Sequence, residues 1–204
     1  MILLGIFLIS GVLLTGFLKK DSIRISISEI TARIGNHEYQ RFPEVDQSSL
    51  SSNQKKLLAI LKQEYTKKPT SYDDTVLKYT QGNKEAWCAN FTSWAMDEAG
   101  MPYNNPNYGG WRIPGVLTLK SYYDARGGFT NSESYVPKLG DVAIYDGKHT
   151  FGLMHRQHVA IVVKADENSI TTFGGNEGGK TLIKTHNRKI GEQQLVGYGV
   201  LDDE

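Results

Sequence analysis

The spacing of apolar residues changes once along this chain, and the change restricts the possible folds. Between residues 51 and 100, apolar residues recur at helical intervals, in NQKKLLAILKQEY and WCANFTSWAMDEAG. After Pro137, short apolar runs separated by turn residues predict strands at 141–145, 158–163, 169–173, 181–185 and 195–201. Helices followed by consecutive strands are typical of an α+β fold with an antiparallel sheet.

The second predicted helix begins at or near Cys88 and ends before Gly100, a residue type that often terminates helices. Phe91 and Trp94 fall on one face of this helix, and we expect that face to be buried against the sheet. Residues 101–130 are rich in Gly, Pro, Asn and Tyr, which predicts a long irregular loop. Loops of that length usually have a functional reason.

Residues 2–18 read ILLGIFLISGVLLTGFL, carry no charge and are followed by Lys19 and Lys20. A stretch of about 17–25 apolar residues is long enough to cross a bilayer as a helix. The segment lacks the early basic residues and the small-residue cleavage site of a signal peptide. We therefore predict an uncleaved membrane anchor in residues 1–20, a polar tether in 21–50 and a single domain in 51–204.

Charge and cysteine content exclude several classes of site. The formal net charge of the 204 residues is +1, which gives no reason to expect a nucleic-acid partner. Cys88 is the single cysteine, so the chain has no internal disulfide and no zinc site built from several thiolates. We expect no metal and no cofactor.

Cys88 has two interpretations, a buried apolar residue or a reactive thiol. Residue type alone favours the buried cysteine. Its position at a predicted helix start favours reactivity, because the helix dipole stabilises a thiolate there. The backbone amides of that first turn are also candidate donors to an oxyanion.

His158 is the candidate base, because it opens the apolar strand HVAIVV and so brings a polar ring to the end of a buried strand. If residues 166–168 form the hairpin loop, antiparallel pairing places residue 176 opposite residue 158. Directly opposite residues point to the same face, so Asn176 is the candidate that orients the His158 ring. A shift of one residue in the loop would bring Gly175 or Glu177 there, and Glu177 is the reserve candidate.

The segments WCANFTSWAM, LGDVAIYD, HVAIVV and FGGNEGG, in this order, resemble the CHAP domain of bacterial and phage wall hydrolases. The resemblance covers about residues 52–201 and implies a papain-like α+β fold. It also implies a catalytic triad of Cys88, His158 and a polar residue on the next strand. Many members carry a glutamate two residues before the asparagine, where this chain has Gly174. The chain is more similar to a Gly-Gly-Asn branch, and Asn176 is assigned on that basis.

The resemblance implies hydrolysis of peptidoglycan amide bonds through a thioester, by an N-acetylmuramoyl-L-alanine amidase or an endopeptidase. Such an enzyme is expected on the outer side of the membrane, in the periplasm or cell wall. The basic residues after the apolar segment, Lys19, Lys20 and Arg24, favour the opposite orientation, with the domain in the cytoplasm.

Two alternatives stay open. One is a membrane-tethered module of the same fold that binds the cell wall without catalysis. The presence of Gly174, where many members carry a glutamate, supports this alternative. The other is a metal site formed by His149, His155 and His158, since imidazole is a suitable ligand for zinc. Their spacing fits no helical pair of ligands and has no obvious helical carboxylate beside it.

Overall fold

The computed structural model of this chain describes residues 40–146 and 157–202. The helices are α1 (Ser52–Lys67), α2 (Leu77–Thr80), α3 (Cys88–Glu98) and α4 (Val116–Ala125). The strands are β1 (Phe129–Thr130), β2 (Val142–Asp146), β3 (Gln157–Ala165), β4 (Ser169–Gly174), β5 (Leu182–Asn187) and β6 (Leu195–Gly199). Two short 3-10 helices, Asp74–Val76 and Glu192–Gln194, complete the regular elements of the described residues.

The described strands form one sheet of six strands in the order β1-β6-β2-β3-β4-β5, and all neighbours are antiparallel. The prediction of an α+β fold with an antiparallel sheet is therefore confirmed. Each of the five predicted strands corresponds to one of β2–β6, with bounds that differ by at most two residues.

The predicted membrane anchor, residues 1–20, and most of the predicted tether lie outside the described residues. Within the part of the chain that the structure describes, none of the helices combines the length and apolar character that a bilayer crossing requires.

The prediction of an irregular loop over residues 101–130 is wrong in its second half, where α4 and β1 form. Val116, Leu119 and Tyr123 recur at helical spacing in α4, and all three are buried. The high content of Gly, Pro and Tyr around this segment concealed that spacing. The helix follows Gly115, whose extended backbone precedes the first turn.

Ser51 is the N-cap residue of helix α1. Its hydroxyl accepts a hydrogen bond from the backbone N–H of Gln54, and the Gln54 side chain accepts one from the backbone N–H of Ser51. This reciprocal pair satisfies two amides that would otherwise lack partners at the helix start. Leu57, Leu58 and Leu61 then form the buried face of α1.

The helix α3 packs on one face of the sheet, as expected from its apolar positions. Phe91 is fully buried, and its ring lies 5.6 Å, centroid to centroid, from that of Phe173 on β4. Trp94 differs from the prediction, because it is only half-buried and its ring packs edge-on against Tyr79 at 4.9 Å. The short helix α2, which the sequence pattern did not predict, carries Tyr79, whose fully buried ring packs against Trp87, Phe91 and Trp94.

The opposite face of the sheet carries a second, smaller apolar cluster that includes Tyr145, Ala160, Val162, Leu195 and Tyr198. Residues that pair directly across antiparallel strands share a face. Tyr145 pairs with His158, so the candidate base lies on this second face, at the end where β3 begins.

Candidate active site

Cys88 is the first residue of α3, as the sequence pattern predicted. The preceding residue, Trp87, provides no side-chain cap, so the first amides of the helix are left for other partners. Cys88 is 6% exposed, so the thiol is largely enclosed but reaches the wall of a cavity. The indole N–H of Trp87 donates to the Ser71 hydroxyl at 2.8 Å and anchors the residue before the thiol.

A cluster of polar side chains fixes the chain as it enters α3. The amide nitrogen of Asn90 donates to the Glu85 carboxylate at 3.1 Å and to the Ala86 carbonyl at 3.0 Å. Arg112 donates to the same carboxylate at 2.6 Å and to the Asn90 side-chain oxygen at 2.9 Å. The loop before α4 is thereby tied to the turn that presents Cys88. Sequence spacing gave no indication of this contact.

The Cys88 thiol contacts three groups that favour its ionised form. Burial opposes ionisation, but contacts with the His158 ring and with the backbone N–H groups of Ala89 and Val159 outweigh it. The pKa of the Cys88 thiol therefore lies below its ordinary value. Of the two interpretations of Cys88, the surroundings are those of an activated thiol.

His158 is held between the thiol and a carboxylate. Its Nε2 lies 2.7 Å from Oε1 of Glu177, although the oxygen lies away from the direction of that N–H, so the contact is an ion pair rather than an aligned hydrogen bond. Burial favours the neutral ring, but contacts with Cys88 and Glu177 raise the pKa of His158 to about 9.

The register predicted for the β3–β4 hairpin holds in its central part, where Ile161 pairs with Phe173 and Val162 with Thr172. A bulge between Val162 and Lys164 shifts the pairing by one residue next to the turn. The strand β4 ends at Gly174, before the register can reach residue 176.

Asn176 has a φ of 58°, so the chain turns away from the sheet at this residue. Its side chain lines the same cavity as Cys88 and His158, and among the described residues it makes no hydrogen bond to either. The assignment of Asn176 as the third member stays a prediction. Glu177, the reserve candidate, is the residue whose side chain contacts the ring.

Two consecutive glycines create the space in which His158 and Glu177 meet. A Cβ atom at Gly174 would lie 3.0 Å from Glu177 Oε1 and 3.1 Å from His158 Nε2. A Cβ atom at Gly175 would lie only 2.6 Å from Phe91 Cβ, on the helix that carries Cys88. The absence of a side chain at Gly174 therefore leaves room for the Glu177 carboxylate beside the His158 ring.

A cavity of about 420 Å³ opens beside these groups. Its floor is the second sheet face, and its wall includes Tyr145, Thr172, Lys184 and His186. His186 Nδ1 lies 2.8 Å from the Asn187 carbonyl, which assigns the ring proton to Nδ1. Nε2 then accepts from the Tyr145 hydroxyl at 2.7 Å, so this histidine is already fully engaged.

The metal alternative is only partly covered by the structure, because His149 and His155 lie outside the described residues. Within those residues there is no group of three or more His, Cys, Asp or Glu side chains that could hold a metal ion.

The family model of the CHAP domain matches residues 79–176 of this chain. The match begins in α2, includes Cys88 and His158, and ends one residue before Glu177. CHAP domains are generally hydrolases that act on peptidoglycan, so the match suggests a hydrolase, amidase or peptidase of that kind. The resemblance seen in the sequence is confirmed over this range, while membership of a Gly-Gly-Asn branch stays a prediction. No curated protein and no solved structure matches the chain.

Proposed function

We propose that residues 51–204 form a papain-like cysteine hydrolase that cleaves peptidoglycan amide bonds, as an N-acetylmuramoyl-L-alanine amidase or an endopeptidase. The observation that carries the proposal is the chain of contacts from the Cys88 thiol to the His158 ring and from the ring to the Glu177 carboxylate. The match to the CHAP family model over residues 79–176 supports the choice of substrate.

In the proposed reaction, His158 takes the Cys88 proton and the thiolate attacks the carbonyl carbon of the scissile amide. The tetrahedral intermediate collapses as the imidazolium gives its proton to the leaving nitrogen, which departs as an amine. A thioester between the acyl group and Cys88 remains. Water, deprotonated by His158, attacks the thioester and releases a carboxylic acid and the free thiol.

The start of α3 can stabilise the negative charge that develops on the carbonyl oxygen during this reaction. Backbone N–H groups in the first turn are not capped by a side chain, and the positive end of the helix dipole lies at Cys88. Amides of this kind stabilise the developing oxyanion of an acyl-transfer intermediate.

The proposal places the catalytic domain on a membrane through residues 1–20, with residues 21–50 as tether. A peptidoglycan substrate requires the domain to face the periplasm or the cell wall. Lys19, Lys20 and Arg24 argue for the cytoplasmic side. Digestion of cell-wall material by the protein would therefore also bear on its orientation.

The proposed function is tested by incubating purified peptidoglycan of several wall types with the full chain in detergent. Mass spectrometry of the released fragments is expected to reveal new amine and carboxyl ends at a single kind of amide bond. Cys88→Ala protein in the same detergent is the matched control and is expected to release nothing. Products in both samples, or in neither, would contradict the proposal.

The alternative of a wall-binding module without catalysis predicts an ordinary thiol at position 88. We expect instead that iodoacetamide alkylates Cys88 at pH 6 at least about ten times faster than it alkylates an unperturbed thiol, because an ordinary pKa near 8.5 leaves few thiolates at that pH. The reference is a short unstructured peptide with one cysteine. Equal rates would favour the binding module.

A further inference from the structure

Lys184 lies on β5, the strand at one end of the described sheet, and pairs across to Thr172 on β4. Its side chain extends over the second face of the sheet, and its Nζ contacts Oε2 of Glu177. The other oxygen of the same carboxylate, Oε1, contacts His158. One carboxylate thus bridges the ring and the lysine.

A lysine on an edge strand has an ordinary explanation, because its charge discourages pairing with a further strand. That role requires only that the ammonium group point into solvent. The Lys184 side chain is 47% exposed, but its ammonium group contacts a carboxylate whose side chain is only 9% exposed. Protection of the sheet edge does not explain a contact with a buried carboxylate.

The buried position of Glu177 makes a second cation important. Burial favours the neutral acid, whereas contacts with His158 and Lys184 favour the carboxylate, and together they hold the pKa of Glu177 below its ordinary value. The contact with His158 is poorly aligned, so that ring alone constrains the rotation of the carboxylate weakly. Lys184 contacts the oxygen that His158 does not use.

We propose that Lys184 is a positioning residue, which holds the Glu177 carboxylate ionised and turned so that Oε1 faces His158. This inference rests on the proposed function of Cys88 and His158. It extends the set of contacts to four side chains that follow one another from α3 through β3 and the loop after β4 to β5.

The charged and titratable groups around this carboxylate come from every element packed near it. His158 approaches from β3 and Cys88 lies behind it on α3, while Lys184 approaches from β5. His186 on β5 and Tyr145 on β2 line the same cavity, and they are hydrogen-bonded to each other. Among these described groups, Lys184 is the cation that can be removed without altering the ring or the thiol.

The test compares Lys184→Met and Lys184→Arg with the unaltered full chain. We expect Lys184→Met to lower kcat about 10- to 50-fold with little change in KM, and to move the acidic limb of the pH–rate profile upward by about one pH unit. Loss of the cation lets Glu177 take up a proton at higher pH. Arginine keeps the charge and pairs well with carboxylates, so Lys184→Arg is expected to retain most of the activity.

Lys164→Met is the matched control, since it removes the same charge from an exposed position on β3, close to the opposite end of that strand from His158. It is expected to leave kcat and the pH profile unchanged. Unfolding temperatures of all variants reveal any purely structural role. An unchanged pH profile in Lys184→Met would overturn the proposal. So would a Lys184→Arg protein whose activity resembles that of Lys184→Met more than that of the unaltered chain.

The rate of Cys88 alkylation at pH 6 separates this inference from the proposed function. Removal of Lys184 is expected to slow alkylation about 5- to 10-fold, because a protonated or turned Glu177 no longer favours the His158 imidazolium that stabilises the Cys88 thiolate. The alkylation rate can be measured without a substrate. A slower alkylation in a protein that fails to cleave peptidoglycan would support the role of Lys184 and contradict the substrate, whereas an unchanged rate would contradict the role itself.

Discussion

Replacement of Cys88 by alanine is expected to lower peptidoglycan hydrolysis by at least about 10⁴-fold, to the background rate, while the domain stays folded. The proposed thioester cannot form without the sulfur. The substitution removes one heavy atom from a side chain that is already small, at a cost of about 1 kcal/mol in the free energy of unfolding. Release of wall fragments and thermal unfolding, measured on the same preparation, check both halves of this expectation.

Ser93→Ala provides the control for stability, because Ser93 is buried on the same helix and does not line the cavity. Its hydroxyl donates to the Ile113 carbonyl and accepts from the Ile113 amide, both at 3.2 Å. Loss of these bonds should destabilise the domain by about 1–2 kcal/mol and leave activity at low temperature intact. If Cys88→Ala unfolded the domain, or retained activity, the nucleophile would have to be reassigned.

The second large effect is expected at Glu177. Glu177→Gln keeps the size of the side chain but removes its charge, and we expect kcat to fall about 10²- to 10³-fold. A carboxylate beside the ring favours the imidazolium, so its removal lowers the pKa of His158. Because the pKa of His158 is raised to about 9, we expect the alkaline limb of the pH–rate profile near that pH in the unaltered protein, and at lower pH in Glu177→Gln.

Asn176→Ala is the matched comparison for this prediction, since Asn176 is the adjacent residue and lines the same cavity. We expect a decrease in kcat of less than about tenfold, with both limbs of the pH profile unchanged. A larger loss in Asn176→Ala than in Glu177→Gln would favour the triad that strand register predicts, with Asn176 as its third member.

Much of the fold could be predicted from the sequence, because the elements involved have strong local signals. The spacing of apolar residues identified α1, α3 and five of the six strands, and the hairpin register was right at Val162 and Thr172. The helix α4 was missed because turn-forming and aromatic residues surround it. The two-residue strand β1 exists through its pairing with β6, which a local pattern does not encode.

Two residues of the candidate site, Cys88 and His158, could be predicted from the sequence, but the third could not. Cys88 lies at the start of α3 and His158 near the start of β3, and both positions follow from local sequence patterns. The residue that contacts the His158 ring depends instead on the path of the chain after β4. The predicted pairing of residues 158 and 176 assumes that β4 stays paired with β3 as far as residue 176. The backbone of Asn176 is left-handed, so the strand pairing does not extend to it. The contacts of Arg112 with Glu85 and Asn90 join segments far apart in sequence, so no spacing rule could reveal them.

The order of the site residues along the chain has a consequence for biosynthesis. Cys88 is made early, whereas the groups that lower the pKa of its thiol, His158 and the Val159 amide, belong to β3, and Glu177 and Lys184 come later still. A nascent chain that has completed only its helices has the Ala89 amide at the thiol but lacks the His158 ring, the first of the contacts that lower its pKa, so its thiol is the weaker nucleophile. With the proposed role of Cys88, full reactivity therefore appears only when the sheet has assembled, and an incomplete or misfolded copy is less prone to acylation and oxidation.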